Sequence, residues 1–176
     1  MRAYAGIGSR RTPDEIRSVM TALASQLADR GYTLRSGHAT GSDQAFERGA
    51  VTQAEVYLPW PTFEQNVRCD AIYMQPSPSL EAVQMAAAHH PAWNRLGHGP
   101  RALHARNCHQ ILGSDLNDPV SFVVCWTRDG ATDNPGPSTG GTGQALRIAA
   151  AHGISVFNLA RPEHLQRIQQ FISATA

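Results

Sequence analysis

Charge is what this sequence is short of. Asp, Glu, Lys and Arg make up only 16% of its 176 residues, and the formal net charge at pH 7 is +1. No global field therefore draws the chain to nucleic acid or to an anionic membrane surface; binding to either would need a local basic patch. Long apolar runs are missing too. None approaches the roughly 18 residues of a membrane span, so no membrane partner is expected. The opening "MRAYAGIGSRR" has an apolar stretch too short and too broken by glycine for a secretory leader. There are three cysteines, Cys69, Cys108 and Cys125, with no CxxC pair. An odd, scattered set reads as reduced thiols and a cytoplasmic setting. The eight histidines include His89-His90 and the His104/His109 pair, which lack i,i+4 ligand spacing. Neither a metal nor a cofactor is expected.

What is present is a globular composition, 41% hydrophobic with 7% aromatic residues. The length suits one domain over residues 1–176 and falls short of two ordinary ones. There is no repeat and no linker.

Strand and helix periods alternate along the chain. Residues 3–7 read as a buried first strand. Thr12, Pro13 and Glu15 then form a capping-box helix start, followed by Ile16, Val19, Met20, Leu23 and Leu27 at helical spacing, with Gly31 as the stop. Residues 32–35 and 55–58 read as strands two and three, with a short helix over 44–52 between them. Residues 61–100, with five prolines, read as an irregular excursion containing a short helix over 79–89. A helix over 100–112 follows. Residues 120–126 ("VSFVVCW") form the strongest strand, apolar on both faces. A helix over 142–152, a fifth strand over 154–159 and a helix over 162–173 complete the chain. The expectation is an α/β fold, a Rossmann-like doubly wound five-stranded parallel sheet in the order 3-2-1-4-5, with helices on both faces. Its switch point lies between the first and fourth strands, where ligands bind at the carboxyl ends.

Three glycine-rich turns fall on that edge. "GIGSRRT" offers Gly8 for close backbone approach, the Ser9 hydroxyl and the Arg10 guanidinium. "SGHATGSD" places Ser36, Gly37 and Gly41 in a tight turn, and Asp43 could simply cap the next helix. "STGGTGQA" sets Thr139, Gly140, Gly141, Thr142 and Gly143 at a helix start, where N–H groups can face an anion. Arg106 could reach a phosphate, and Asn107 could bond a base edge or pin a neighbouring loop. Trp126 ends the strong strand and could stack on a base or pack in the core.

The set resembles the Rossmann-like core of DNA-processing protein A (DprA), carried by Gly8-Ser9-Arg10, the run from Ser36 to Asp43, Arg106-Asn107 and the run from Thr139 to Gly143. The resemblance spans nearly the whole chain. It implies the wider superfamily that includes the LOG-type nucleotide phosphoribohydrolases and the nucleotide-sensing SLOG domains. The chain looks most like the short free-standing members often encoded by bacteriophages, which would place it in a host cytoplasm. Two departures stand out. Thr40 occupies a position where the DprA loop usually carries Arg. Aligned on the PGGxGTxxE motif of the LOG-type hydrolases, Thr139 replaces the proline and Arg147 the glutamate.

Several phosphate-type loops without a clear catalytic carboxylate put a nucleotide-binding sensor or sequestering protein first. A nucleotide N-glycosidase comes second, with Asp43, Glu47, Glu81 and Asp129 as the candidate carboxylates. A single-stranded DNA binder comes third; Arg10, Arg11, Arg35, Arg106, Arg128 and Arg147 could supply its basic cluster. The expected partner is a nucleotide or nucleotide-derived small molecule, with a homo-oligomer left open.

Overall fold

The computed structural model describes residues 2–64 and 73–174. Twelve regular elements follow in order among these residues. They are β1 (Arg2–Gly8), α1 (Asp14–Asp29), β2 (Tyr32–Ser36), α2 (Ser42–Ala50), β3 (Ala54–Tyr57), β4 (Tyr73–Gln75), α3 (Leu80–His89), α4 (His98–Leu112), β5 (Phe122–Trp126), α5 (Thr142–Ala151), β6 (Ser155–Asn158) and α6 (Pro162–Ser173). Short 3-10 turns lie at Trp93–Arg95 and Pro137–Thr139.

All described strand pairings are parallel, and the sheet runs β4-β3-β2-β1-β5-β6. This corrects the expected five strands in the order 3-2-1-4-5. The extra strand, β4, is a three-residue edge strand beyond β3, with Tyr73 exposed. It falls within the stretch read as irregular, and three residues are too few to show a period. Residues 65–72 of that stretch, with Cys69, lie outside the described residues.

Two apolar layers sandwich the sheet. Ala3, Ala5 and Ile7 of β1 face Ala82 and Ala86 of α3, Ala105, Cys108 and Ile111 of α4, and Leu146 and Ile148 of α5. Tyr4 faces the opposite way with Met20 and Leu23 of α1, Phe46 of α2 and Ile168 of α6. This alternation is the period-2 signature of a strand buried on both faces. Gly6 is required by the second layer, because a Cβ there would stand 2.6 Å from both Leu34 Cδ1 and Phe46 Cγ.

Thr12 does not cap α1. The N-cap position falls on Pro13 and has no side-chain cap bond. The Thr12 hydroxyl instead donates to the Ser9 carbonyl at 2.8 Å and lies 2.7 Å from the Ser42 hydroxyl, tying the loop after β1 to the start of α2. Asp43 is likewise not a cap, since α2 begins after Gly41 without a side-chain cap bond.

Candidate functional site

The switch point lies between β1 and β5, because the chain extends to opposite sides of the sheet from these two neighbours. A cavity of about 850 Å³ opens at their carboxyl ends. Ile7 and Gly8 end one strand there and Trp126 ends the other. The backbone of Gly8 passes so close to β5 that an added Cβ would meet the Trp126 carbonyl at 2.8 Å and the Ser42 hydroxyl at 2.5 Å. Its φ of 152° also favours glycine.

Two of the glycine-rich turns meet across this cavity. Gly8, Ser9 and Arg10 line one side; Thr139, Gly140, Gly141 and Thr142 line another. Asp43, Arg106 and Asn107 line it as well. Ser36, Gly37, Gly41 and Gly143 are not among the lining residues, but three of them shape it. Gly41, at φ 99°, lets the second turn pass under Ser9 and Arg10. Gly143 packs behind the cradle against Pro135 and Thr139. Gly37 makes room for Arg106, whose Nη1 and Cζ occupy the place of a Cβ.

Arg106 is the centre of this arrangement. It is 5% exposed, and its Nε and Nη1 are buried without a hydrogen-bond partner. Nη1 lies 3.5 Å from Asp43 Oδ2, an ion-pair distance without a hydrogen bond. Burial lowers the Arg106 pKa, with Asp43 and Glu47 opposing. A guanidinium stays protonated through such a shift. Burial pushes Asp43 up to about 6 even against the neighbouring Arg106 charge. Phe63 supports both main arginines, with the Arg10 and Arg106 guanidinium carbons each 5.8 Å from its ring centre. Arg11 and Arg128 add two exposed cations to the lining. The chain holds no lysine, so every Lys/Arg cation in it is a guanidinium. Such groups favour planar, forked hydrogen bonding to phosphate or carboxylate.

Two of the other candidate carboxylates are held by hydrogen bonds within the chain. Glu47 accepts from the His38 backbone N–H at 2.9 Å and lies 2.6 Å from its Nδ1, which holds the left-handed His38 in place and raises that imidazole's pKa. Asp129 accepts from Thr127, Ala131, Ser138 and Thr139. Burial acts to raise its pKa, but these hydrogen bonds outweigh it and hold the carboxyl below its ordinary value. Asp129 thereby clamps the loop after β5 to the turn ahead of α5. Glu81 is exposed on α3 and does not line the cavity.

Asn107 pins a loop, its amide donating to the Gly141 carbonyl at 3.1 Å. Trp126 is half-buried; it lines the cavity while packing against the α1/α2/α6 layer. Arg35 is held by Glu55 and Asp118, away from the cavity. Four lining residues of α4 carry no motif, namely Pro100, Leu103, His104 and Gln110, and Phe63 lies behind the arginines. The signal for these four was present: Pro100, Leu103, His104, Asn107 and Gln110 recur at helical spacing on α4. It mixes apolar and polar residues, so it does not read as a core face. Among the described residues, no group of three or more His, Cys, Asp or Glu could hold a metal ion, and no helix is long and apolar enough to cross a membrane.

Fold and cavity together define a Rossmann-like α/β protein with an arginine-lined cleft at its switch point. No protein-family model matches the chain, and no curated protein matches it. Solved structures do. One structure of the Moco carrier protein from Chlamydomonas reinhardtii matches with a TM-score of 0.51 at 15% identity, covering 99% of this chain and 86% of that one. A second structure of that protein matches at 0.49 and 16%, covering 98% and 84%. DNA processing protein A from Helicobacter pylori, described with a single-stranded DNA binding mode, matches at 0.42 and 13%, covering 99% and 82%. At 15% identity the first likeness is one of fold.

Proposed function

We propose that this protein binds a nucleotide or nucleotide-derived small molecule, with a phosphate drawn to Arg106. The observation that carries the reading is Arg106 itself, a buried cation whose Nε and Nη1 lack hydrogen-bond partners in a cavity at the switch point. A guanidinium set in the cavity wall beside Arg10, Arg11 and Arg128 favours an anion there. The volume of about 850 Å³ lies within the range of small-ligand sites. Arg10, Arg11 and Arg128 supply further positive charge, and the half-buried Trp126 offers an indole face.

The test is calorimetric titration with a panel of nucleoside mono-, di- and triphosphates. Arg106→Gln should weaken the best binder by about 1.5–3 kcal/mol, the range for a charged hydrogen bond. Unchanged affinity would refute the reading. Salt dependence separates it from single-stranded DNA binding. A log–log slope steeper than about −3, or four or more contacts at roughly −0.7 each, would favour DNA.

One observation favours a second reading, cleavage of the N-glycosidic bond. Asp43 is a buried carboxylate that lines the cavity and titrates near 6, close to a working general base. Arg147 does not replace it: its Nη2 donates to the Pro135 carbonyl at 3.4 Å, and an arginine cannot serve as the carboxylate. Free base released from nucleoside monophosphates by the wild type and lost in Asp43→Asn would establish this reading.

A further inference from the structure

We propose that His104 reads the uncharged, hydrogen-bonding edge of the ligand, the heterocyclic base of a nucleotide, while the arginines hold its phosphate. The inference rests on the nucleotide reading above and names the group that would select among nucleotides.

His104 lies on the face of α4 that lines the cavity. Its Nδ1 is buried and has no hydrogen-bond partner in the chain. Several neutral polar groups of the lining are already engaged. The Asn107 amide donates to Gly141, the Thr139 hydroxyl to Asp129, and the Ser9 hydroxyl oxygen accepts from the Arg11 N–H. The His104 ring is fixed by its neighbour His90, with centroids 4.5 Å apart.

The electrostatics determine what such a ring can recognise. Burial, then the charges of His90, Arg147 and Arg106, lower its pKa to about 4. The imidazole is therefore neutral near pH 7 and offers one donor and one acceptor. Beside four guanidiniums it adds little to phosphate binding. It does complement an N–H/C=O or amino/ring-nitrogen edge. A site with a buried polar atom discriminates against ligands that leave that atom unpaired.

The test compares two probes by calorimetry on the full chain. Pyrophosphate carries charge without a base; the 5′-diphosphates of adenosine, guanosine, cytidine and uridine carry both. His104→Leu should lower affinity for the preferred nucleoside diphosphate about two- to tenfold, the range of a neutral hydrogen bond, and leave pyrophosphate unchanged. His104→Asn, which keeps a polar group in a smaller side chain, should change the order of preference among the four bases. Equal losses for pyrophosphate and nucleotides in both variants would make the ring a packing element and overturn the proposal. Unchanged nucleotide affinity in both would overturn it while leaving the nucleotide reading intact. A wild-type chain that binds pyrophosphate but no nucleotide better would instead defeat the nucleotide reading itself.

Discussion

Gly37 and Arg106 interlock: the guanidinium of Arg106 fills the space where any other residue at position 37 would place its Cβ. The turn after β2 and the middle of α4 are thereby fitted to one another. A glycine that does not itself line the cavity makes room for the cavity's central cation. Gly37→Ala should displace Arg106 and lower nucleotide affinity by an amount similar to Arg106→Gln. Overpacking of this kind also costs about 1–3 kcal/mol of stability. Titration beside denaturant unfolding checks both. Full affinity in Gly37→Ala would mean that Arg106 can bind from a different rotamer.

Glu64 already occupies the guanidinium of Arg10. Its Oε1 lies 3.1 Å from Arg10 Nη2, and its Oε2 accepts from the Thr40 hydroxyl at 3.0 Å. It sits at a left-handed φ of 54°, uncommon for a glutamate. An exposed pair of this sort is worth about 0.2–1 kcal/mol. Glu64→Gln should therefore raise affinity for anionic ligands by a factor of about 1.5–5. Weaker binding in the variant would show that Glu64 positions Arg10 instead of competing for it.

Much of this was legible in the sequence. The glycine-rich turns at Gly8 and Gly140 lie where the alternation of strand and helix put them, at the switch point. Strong periodic segments such as the last helix were readable because apolar spacing dictates one buried face. Other features were not. β4 is too short to carry a period, and Thr12 reads as a helix cap until Ser42 is seen beside it. Phe63 meets Arg10 and Arg106, both more than 40 positions away, which no local pattern records.

His109 should make stability fall in acid. Its Nε2 receives the Ser79 backbone N–H at 3.1 Å and lies 3.0 Å from the Gln75 amide, while Nδ1 lies 3.0 Å from the Gly113 carbonyl. Burial lowers its pKa. The fold thus binds a proton at His109 less readily than the unfolded chain does. Stability from this group is complete above the unfolded value of about 6.5 and declines as pH falls below it. His104 acts in the same direction, while His38, whose pKa is raised, loses its contribution as pH rises. Urea unfolding between pH 7.5 and 5 should show a shallower acid decline in His109→Gln than in the wild type. Parallel curves would indicate that the folded chain protonates His109 as readily as the unfolded one does.

The two threonines of the cradle should separate. Thr139 lines the cavity, but its hydroxyl is donated to Asp129 at 2.6 Å, within the clamp formed with Thr127 and Ser138. Thr142 lines the same cavity at the first position of α5, where a helix start favours negative charge. Thr139→Val leaves Asp129 with one donor fewer, so its main cost should be stability, about 0.5–1.5 kcal/mol, with binding reduced only as far as the cradle loosens. Thr142→Val removes a hydroxyl from a cavity-lining residue without breaking a bond of the clamp. It should leave the melting temperature nearly unchanged and weaken nucleotide binding about two- to tenfold, the loss of one neutral hydrogen bond. Melting curves and titrations on both variants check the pair. If Thr139→Val lost binding at unchanged stability while Thr142→Val lost none, the ligand would be drawing the Thr139 hydroxyl away from Asp129. The cradle would then reorganise on binding instead of standing preformed.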